Sequence, residues 1–327
     1  MRCFWDEAQR GHAPSSEFFN GALHPAADVV ERVDSVLAAI EPVETPAARS
    51  EAELLAAAGL AHTPDYLELL RTAHAEWLAA GRSGDVLPYA FPVRRAPREL
   101  QRIDARLGQH SYDTCAPIMG GTWDALLAGT GTMLAALDVA IAGEHAFALT
   151  RPPGHHAGPD YMGGYSYFNW AAIAALTSGK RTAILDLDYH HGNGTQDIVA
   201  RRDGVRFASL HADPATDYPY FWGTEAESGG NILNLPLPRG TAFAAYDEAL
   251  VRACDWLAED APELLVVSFG ADTFEGDPIS HFAIRTSDYV HLAARAAALG
   301  IPTLVLLEGG YAVDALGANV AAFLSGF

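Results

Sequence analysis

Apolar residues in the second half of the chain gather into five short runs, Ala146 to Leu149, Ala183 to Asp188, Val205 to Leu210, Leu264 to Phe269 and Thr303 to Leu307. Each is too short for a helix and is bounded by polar or glycine-rich residues, as strands are. Segments of ten or more residues with helical spacing separate most of them. That alternation predicts βαβ units and a mainly parallel sheet, an α/β fold. No linker, repeat or low-complexity tract divides residues 1–327, so a single domain is expected.

The first half is less regular. Residues 1 to 6 read as a short strand, and Ala26 to Ile40 as a helix whose stripe is Val29, Val33, Val36, Leu37 and Ile40, with Glu17 in the loop between. Thr63-Pro64-Asp65 reads as the start of a second helix, threonine capping and proline in the first turn. Residues 81 to 119 carry proline and charge with no sustained period. A loop of that length in a compact chain is usually functional. Helical spacing returns from Gly121 to Gly143.

Composition narrows the class. Half of the 327 residues are apolar, enough for a large core, and the formal charge of -20 speaks against nucleic acid, which needs a basic footprint. Acidity suits a small cationic ligand but by itself is only solubility. Cys3, Cys115 and Cys254 lie far apart, so neither a thiolate metal site nor a disulfide framework is indicated. With no apolar signal core at the N-terminus and no window expected to span a membrane, the expectation is a cytoplasmic protein with no membrane partner.

In parallel sheets ligands bind beyond the carboxyl ends of the strands. The residues at those ends are RPPGHH, DLDYHHGN, SLHADP, SFGADTFEGDP and LLEGGY, each polar, ionisable or rich in glycine. In AILDLDYHHGNGTQD, residues 183 to 197, strand alternation sets Asp186, Asp188 and His190 on one side. Burying two carboxylates calls for a metal, an arginine or protonation. An Asp-His hydrogen-bond network closing a loop is the plainer alternative. Asp188 and His190 together with Asp272 offer an oxygen-rich candidate metal set, with His155 and His156 as acid-base groups and Tyr311 as a donor in a glycine turn.

RPPGHHAG, GGYSYFN, DLDYHHGNGTQD, FASLHADP, GADTFEGDP and EGGY stand in the order found in the arginase-deacetylase fold family. The sequence resembles the histone deacetylases, and more closely the bacterial acetylpolyamine amidohydrolases, to which FPVRR at 91 to 95 also points. The resemblance implies a three-layer single domain. It also implies a divalent metal, usually Zn2+, on Asp188, His190 and Asp272. One imidazole and two carboxylates leave positions open for water and substrate, the catalytic pattern, and oxygen-rich ligation also admits Fe2+, Co2+ or Mn2+.

The implied reaction is hydrolysis of an acetyl amide, with His156 as general base and the Tyr311 hydroxyl polarising the carbonyl. His155 is either an electrostatic partner or the separate acid. The resemblance pairs His155 with Asp186 and His156 with Asn193. It further implies K+ near Asp186, Ser209 and the main-chain oxygens of Asp188, His190 and Leu210. Tyr165 and Tyr218 fall at positions lining a substrate tunnel, and Gly164 at a carbonyl that receives the leaving nitrogen. Glu17 and Asp104 match acidic positions at the tunnel mouth, and a homodimer is implied through the long loop. Trp170 and Ser166 depart from the usual residues, which bears on pocket shape.

The leading reading is therefore a metal-dependent deacetylase of acetylated polyamines or similar small cationic amines. Within enzymes the alternative is acetyl-lysine deacetylation in proteins. A two-metal ureohydrolase would want more aspartates and lacks the paired histidines. A non-catalytic acyl-ligand sensor retains the pocket but typically loses a metal ligand, His156 or Tyr311, and all are present.

Overall fold

The computed structural model of the protein describes residues 1–19, 21–93 and 95–327. From the N-terminus come β1 (Arg2–Phe4), β2 (Ser16–Phe19), β3 (Ala22–Pro25), α1 (Glu31–Leu37), β4 (Val43–Glu44), α2 (Glu51–Ala58), α3 (Pro64–Ala79), α4 (Ile103–Gln109) and α5 (Thr122–Ile141). They are followed by β5 (Ala146–Ala148), α6 (Trp170–Ser178), β6 (Thr182–Asp186), α7 (Asn193–Val199), β7 (Val205–Ala212) and β8 (Ile232–Leu237). The chain closes with α8 (Phe243–Ala258), β9 (Leu264–Phe269), α9 (Tyr289–Ala297), β10 (Thr303–Leu307) and α10 (Val313–Leu324).

Eight strands form one sheet in the order β4-β1-β5-β10-β9-β6-β7-β8, and every pairing in it is parallel. Alternation along the strands divides the core in two. Ile184, Val266, Leu304 and Leu306 face a layer that includes α2, α3, α5 and α6. Ala183, Leu185, Val267 and Val305 face α1, α8, α9 and α10. A strand buried on both faces reads as a continuous apolar run, which is why the five runs were legible. The carboxyl ends of β5, β6, β9 and β10 meet near the middle of the sheet.

Several expectations need correction. The helix expected over 26 to 40 is confined to α1, because the stretch before it places Asp28 against two arginines: Asp28 Oδ1 accepts from Arg32 at 2.5 Å, and its carbonyl accepts from Arg151 at 2.7 Å. Glu17 lies on β2, half of an antiparallel hairpin with β3, and not in a loop. The Thr63 side chain makes no cap bond, although Pro64 does open α3. The long 81 to 119 segment contains α4 and pairs Val86 with Ile118.

In contrast to the expectation of no spanning window, α5 is long and apolar enough to cross a membrane. Its apolarity is used in the core, where Leu126, Met133 and Leu137 are buried. Trp170, the first residue of α6, is also fully buried and donates to the Pro152 carbonyl at 2.9 Å, so this departure shapes the core and does not line the cavity described below. Arg94 of FPVRR lies outside the described residues.

Candidate active site

Strand β6 ends at Asp186, and the chain turns so that Asp188 and His190 meet Asp272, which follows β9. Asp188, His190 and Asp272 each offer a ligand atom within 4.8 Å of the others. The convergence comes from this turn, not from strand alternation. His190 Nδ1 stands 3.0 Å from Asp272 Oδ2 and 3.3 Å from Asp188 Oδ1. Backbone amides fix both carboxylates. Gly309 N–H donates to Asp188 Oδ2 at 2.8 Å, and Tyr189 N–H donates to Asp272 Oδ1 at 2.9 Å.

Both carboxylates are fully buried. Burial opposes ionisation of Asp188, but the charges of His155 and His190 hold it well below the usual carboxylate range. Asp272 is pushed up by burial and by the charge of Asp188. Two buried carboxylates this close ionise together only when a cation joins them. A divalent ion fits that demand and the donor set of one imidazole and two carboxylates.

The glycines of EGGY explain how the last strand approaches so closely. A Cβ at Gly309 would lie 2.6 Å from Asp188 Oδ2 and 2.7 Å from Asp272 Oδ2, so a side chain there collides with the ligands. Gly310 has φ +123°, a conformation that favours glycine. Tyr311 then enters the site with its backbone N–H donating to Asp277 Oδ2 at 2.7 Å.

The tandem histidines follow β5 and divide as the resemblance implied. His155 Nδ1 is 3.1 Å from Asp186 Oδ2, and His156 Nδ1 is 2.6 Å from Asn193 Oδ1. The rings lie 4.0 Å apart between centroids. Burial disfavours the cationic form of each, yet Asp188 and Asp186 overcome it at His155 and raise its pKa to about 10. At His156 burial wins, reinforced by the neighbouring imidazoles, and its pKa is held well below the ordinary value. One ring is therefore proton-rich and the other proton-poor.

A cavity of about 220 Å³ opens onto these groups, lined by His155, His156, Gly164, Tyr165, His190, Tyr218 and Tyr311 among others. The Tyr218 ring is 5.1 Å from His156 and 5.9 Å from His190, and Tyr165 is 5.5 Å from Tyr311. A Cβ at Gly164 (φ +50°) would come within 2.4 Å of the His156 ring. The Gly164 carbonyl accepts from Ser166 Oγ at 3.3 Å, so the serine that departs from the usual residue supports this wall.

Of the two expected acidic mouth residues, the structure brings one to the cavity. Glu17 lines it; Oε1 accepts from the Tyr165 hydroxyl at 3.2 Å, and Oε2 is buried with no hydrogen-bond partner among the described residues. Asp104 is a correction. It sits at the start of α4, only 4% exposed, paired with Arg82 and at 2.7 Å with Arg102, and it does not line the cavity. Its charge is already neutralised.

Sequence reasoning missed three contributors. Asp113 accepts the Tyr218 hydroxyl at 2.6 Å and the Gly164 N–H at 2.9 Å, bracing both walls. Glu308 Oε2 accepts the N–H groups of Gly154 at 2.6 Å and His155 at 3.1 Å. Arg32 donates to the carbonyl of Gly310 at 2.7 Å. The signal for Glu308 was available, since it opens the EGGY cluster directly after an apolar strand. Arg32 lies 278 residues from Gly310 in the chain, beyond any local pattern.

The proposed cation-binding residues also come together in part. Asp186 pairs with Ser209 in register between β6 and β7, and Leu210 follows. The Ser209 hydroxyl is also 2.9 Å from His211 Nδ1.

Residues 26–327 match the family model of the histone deacetylase domain. The chain is 43% identical to acetylpolyamine amidohydrolase 1 of Pseudomonas aeruginosa, covering 100% of this chain and 99% of the other. It is 41% identical to an acetylpolyamine amidohydrolase of Mycoplana ramosa, over 100% and 99%. The crystal structure of the acetylpolyamine aminohydrolase from Burkholderia pseudomallei superposes with a TM-score of 0.94 at 35% identity, over 100% of this chain and 98% of that one.

Proposed function

The chain belongs to the histone deacetylase family, and within that hydrolytic family we propose that it removes acetate from acetylated polyamines or similar small cationic amines. The observation that carries the reading is one cavity lined both by His190, which belongs to the cluster with Asp188 and Asp272, and by the carboxylate of Glu17. Acetyl amide and ammonium then have separate places in one pocket.

Zn2+ would be held by Asp188, His190 and Asp272, with Fe2+, Co2+ or Mn2+ as substitutes. Bound there, the metal would act as a Lewis acid toward the amide carbonyl and lower the pKa of water. The remaining work belongs to side chains. With Nδ1 held by Asn193, His156 has Nε2 free to take a proton from water, and its neutral state suits a base. Tyr311 donates to the oxygen on which charge develops. His155, held by Asp186, supplies positive charge beside the reacting centre and a proton source for the departing amine. Tyr165 and Tyr218 confine the methylene chain, and the Gly164 carbonyl receives the leaving nitrogen.

Two further assignments belong to the same proposal. K+ beside Asp186, Ser209, Leu210 and the main chain of Asp188 and His190 moderates charge behind the ligands. A homodimer covers apolar side chains on the hairpin and loops, where Leu23, Tyr89, Val93 and Phe221 are 67%, 72%, 77% and 83% exposed. Incubation of the zinc-loaded protein with N-acetylputrescine tests the reaction. Equimolar acetate and putrescine are expected, and intact substrate after prolonged incubation would overturn it.

A further inference from the structure

The cavity that takes the acetylated amine also presents a cation, and the two charges reach it through different walls. Glu17 is attached to the wall of Tyr165, whose ring packs on Tyr311. Arg239 also lines the cavity. It donates through Nε to Asp217 Oδ2 at 2.9 Å, and Asp217 accepts the Tyr189 hydroxyl at 2.7 Å. The Tyr189 ring in turn lies 5.0 Å from that of His190. An acidic wall and a basic wall thus flank one entrance.

Arg239 is not used up by these contacts. Beyond Asp217 it donates to the Thr216 carbonyl at 3.1 Å, so two of its five N–H groups have partners among the described residues. Its side chain is 51% exposed, whereas Asp217 is nearly buried at 6% and also receives the Thr216 hydroxyl at 2.7 Å. The guanidinium is therefore anchored at one edge and open at the other, the geometry in which arginine receives a carboxylate. Glu17 offers the complementary charge, since it lines the same cavity and its Oε1 takes a neutral donor, the Tyr165 hydroxyl, and no cation among the described residues.

We propose that the site also hydrolyses free ω-acetylated diamino acids, zwitterions whose α-ammonium pairs with Glu17 and whose α-carboxylate pairs with Arg239. The inference rests on the amide-hydrolase reading above and extends its substrate class. Chemically nothing else changes: the amide C–N bond breaks, water supplies oxygen to the acyl carbon and a proton to the released amine, and no electrons are transferred. An acetyl-lysine inside a peptide lacks both free charges, so the pairing selects the amino acid over the protein side chain. A plain acetylated diamine keeps the Glu17 contact and lacks the Arg239 contact.

Nε-acetyl-lysine and N-acetylcadaverine differ only by the α-carboxylate, which makes their ratio of kcat/KM the direct readout. Both are measured on the zinc-loaded wild type, Arg239→Gln and Arg239→Lys. Because the ratio is taken within each preparation, a loss of folded enzyme cancels. The expected result is turnover of free Nε-acetyl-lysine by the wild type, a ratio about three- to tenfold lower in Arg239→Gln, and partial recovery in Arg239→Lys. Hydrolysis of N-acetylcadaverine with none of Nε-acetyl-lysine overturns the inference and leaves the deacetylase reading standing. An unchanged ratio in Arg239→Gln also overturns it. No turnover of either compound overturns both readings.

Discussion

The guanidinium carbon of Arg32 stands 4.9 Å from the centre of the Tyr311 ring, although the two residues belong to opposite ends of the chain. Arg32 is fully buried and is balanced by Asp28, and it also donates to the main chain at Gly310, so it orients the aromatic side chain from behind. A hydroxyl so placed matters most where charge develops on oxygen. Tyr311→Phe should lower kcat by about two to three powers of ten while KM stays within a few-fold. Steady-state kinetics decide this, and an unchanged kcat removes Tyr311 from the oxyanion role.

Metal binding should depend on the close packing of Gly309 as much as on the ligands. Chelation should abolish activity, and added zinc or cobalt should restore it. Asp272→Ala should lose the metal stoichiometrically, and Gly309→Ala should do so as well, because its methyl would lie 2.6 Å from Asp188 Oδ2. Metal content by elemental analysis is the check. Full occupancy in folded Asp272→Ala would refute the ligand assignment.

Glu17 and Asp104 should behave differently despite sharing a charge. Glu17→Gln should raise KM for charged acetylpolyamines several-fold, with little effect on a neutral acetamide, and the wild-type preference should weaken with salt. Asp104→Asn should leave KM alone and lower stability, since it removes the shared partner of Arg82 and Arg102. Kinetics and urea unfolding on both variants separate the two roles, and equal KM effects would restore Asp104 to the mouth.

What sequence could and could not show follows from how far apart the interacting residues lie. Asp188 and His190 share one short motif, and each other cluster follows a doubly buried strand, so the ends of β5, β6, β9 and β10 were legible. The hairpin carrying Glu17 was missed although Asn20-Gly21 is a hairpin signal in the sequence. Strand β8 was missed because Pro236 argues against a central strand; it lies at the sheet edge, where proline is tolerated. Asp104 was misplaced because its arginine partners, Arg82 above all, are set by folding of the loop and not by local spacing.

Buried histidines away from the metal cluster predict acid lability. Burial pushes His62 down to about 4, with Nδ1 2.9 Å from the Gly158 carbonyl and Nε2 accepting from Asn169 N–H at 2.9 Å. His12 is lowered by burial to about 3, and His211 likewise to about 4. The unfolded chain therefore binds protons near pH 6.5 that the folded chain refuses, and stability falls as pH drops from about 6.5 toward 4. The slope is at most about 1.4 kcal/mol per pH unit for each histidine. Urea unfolding of His62→Gln across that range should show a shallower dependence than wild type, and an identical dependence would contradict the assignment.

The central claim is that this chain is a deacetylase for small cationic amines, and it is tested most directly by kcat/KM for acetylputrescine and acetylspermidine beside an acetyl-lysine histone peptide. All three are measured on one zinc-loaded preparation. The cavity joining the metal cluster to Glu17 predicts that the acetylpolyamines are preferred by at least about tenfold. Equal or faster hydrolysis of the peptide would contradict the account and move the activity to protein deacetylation.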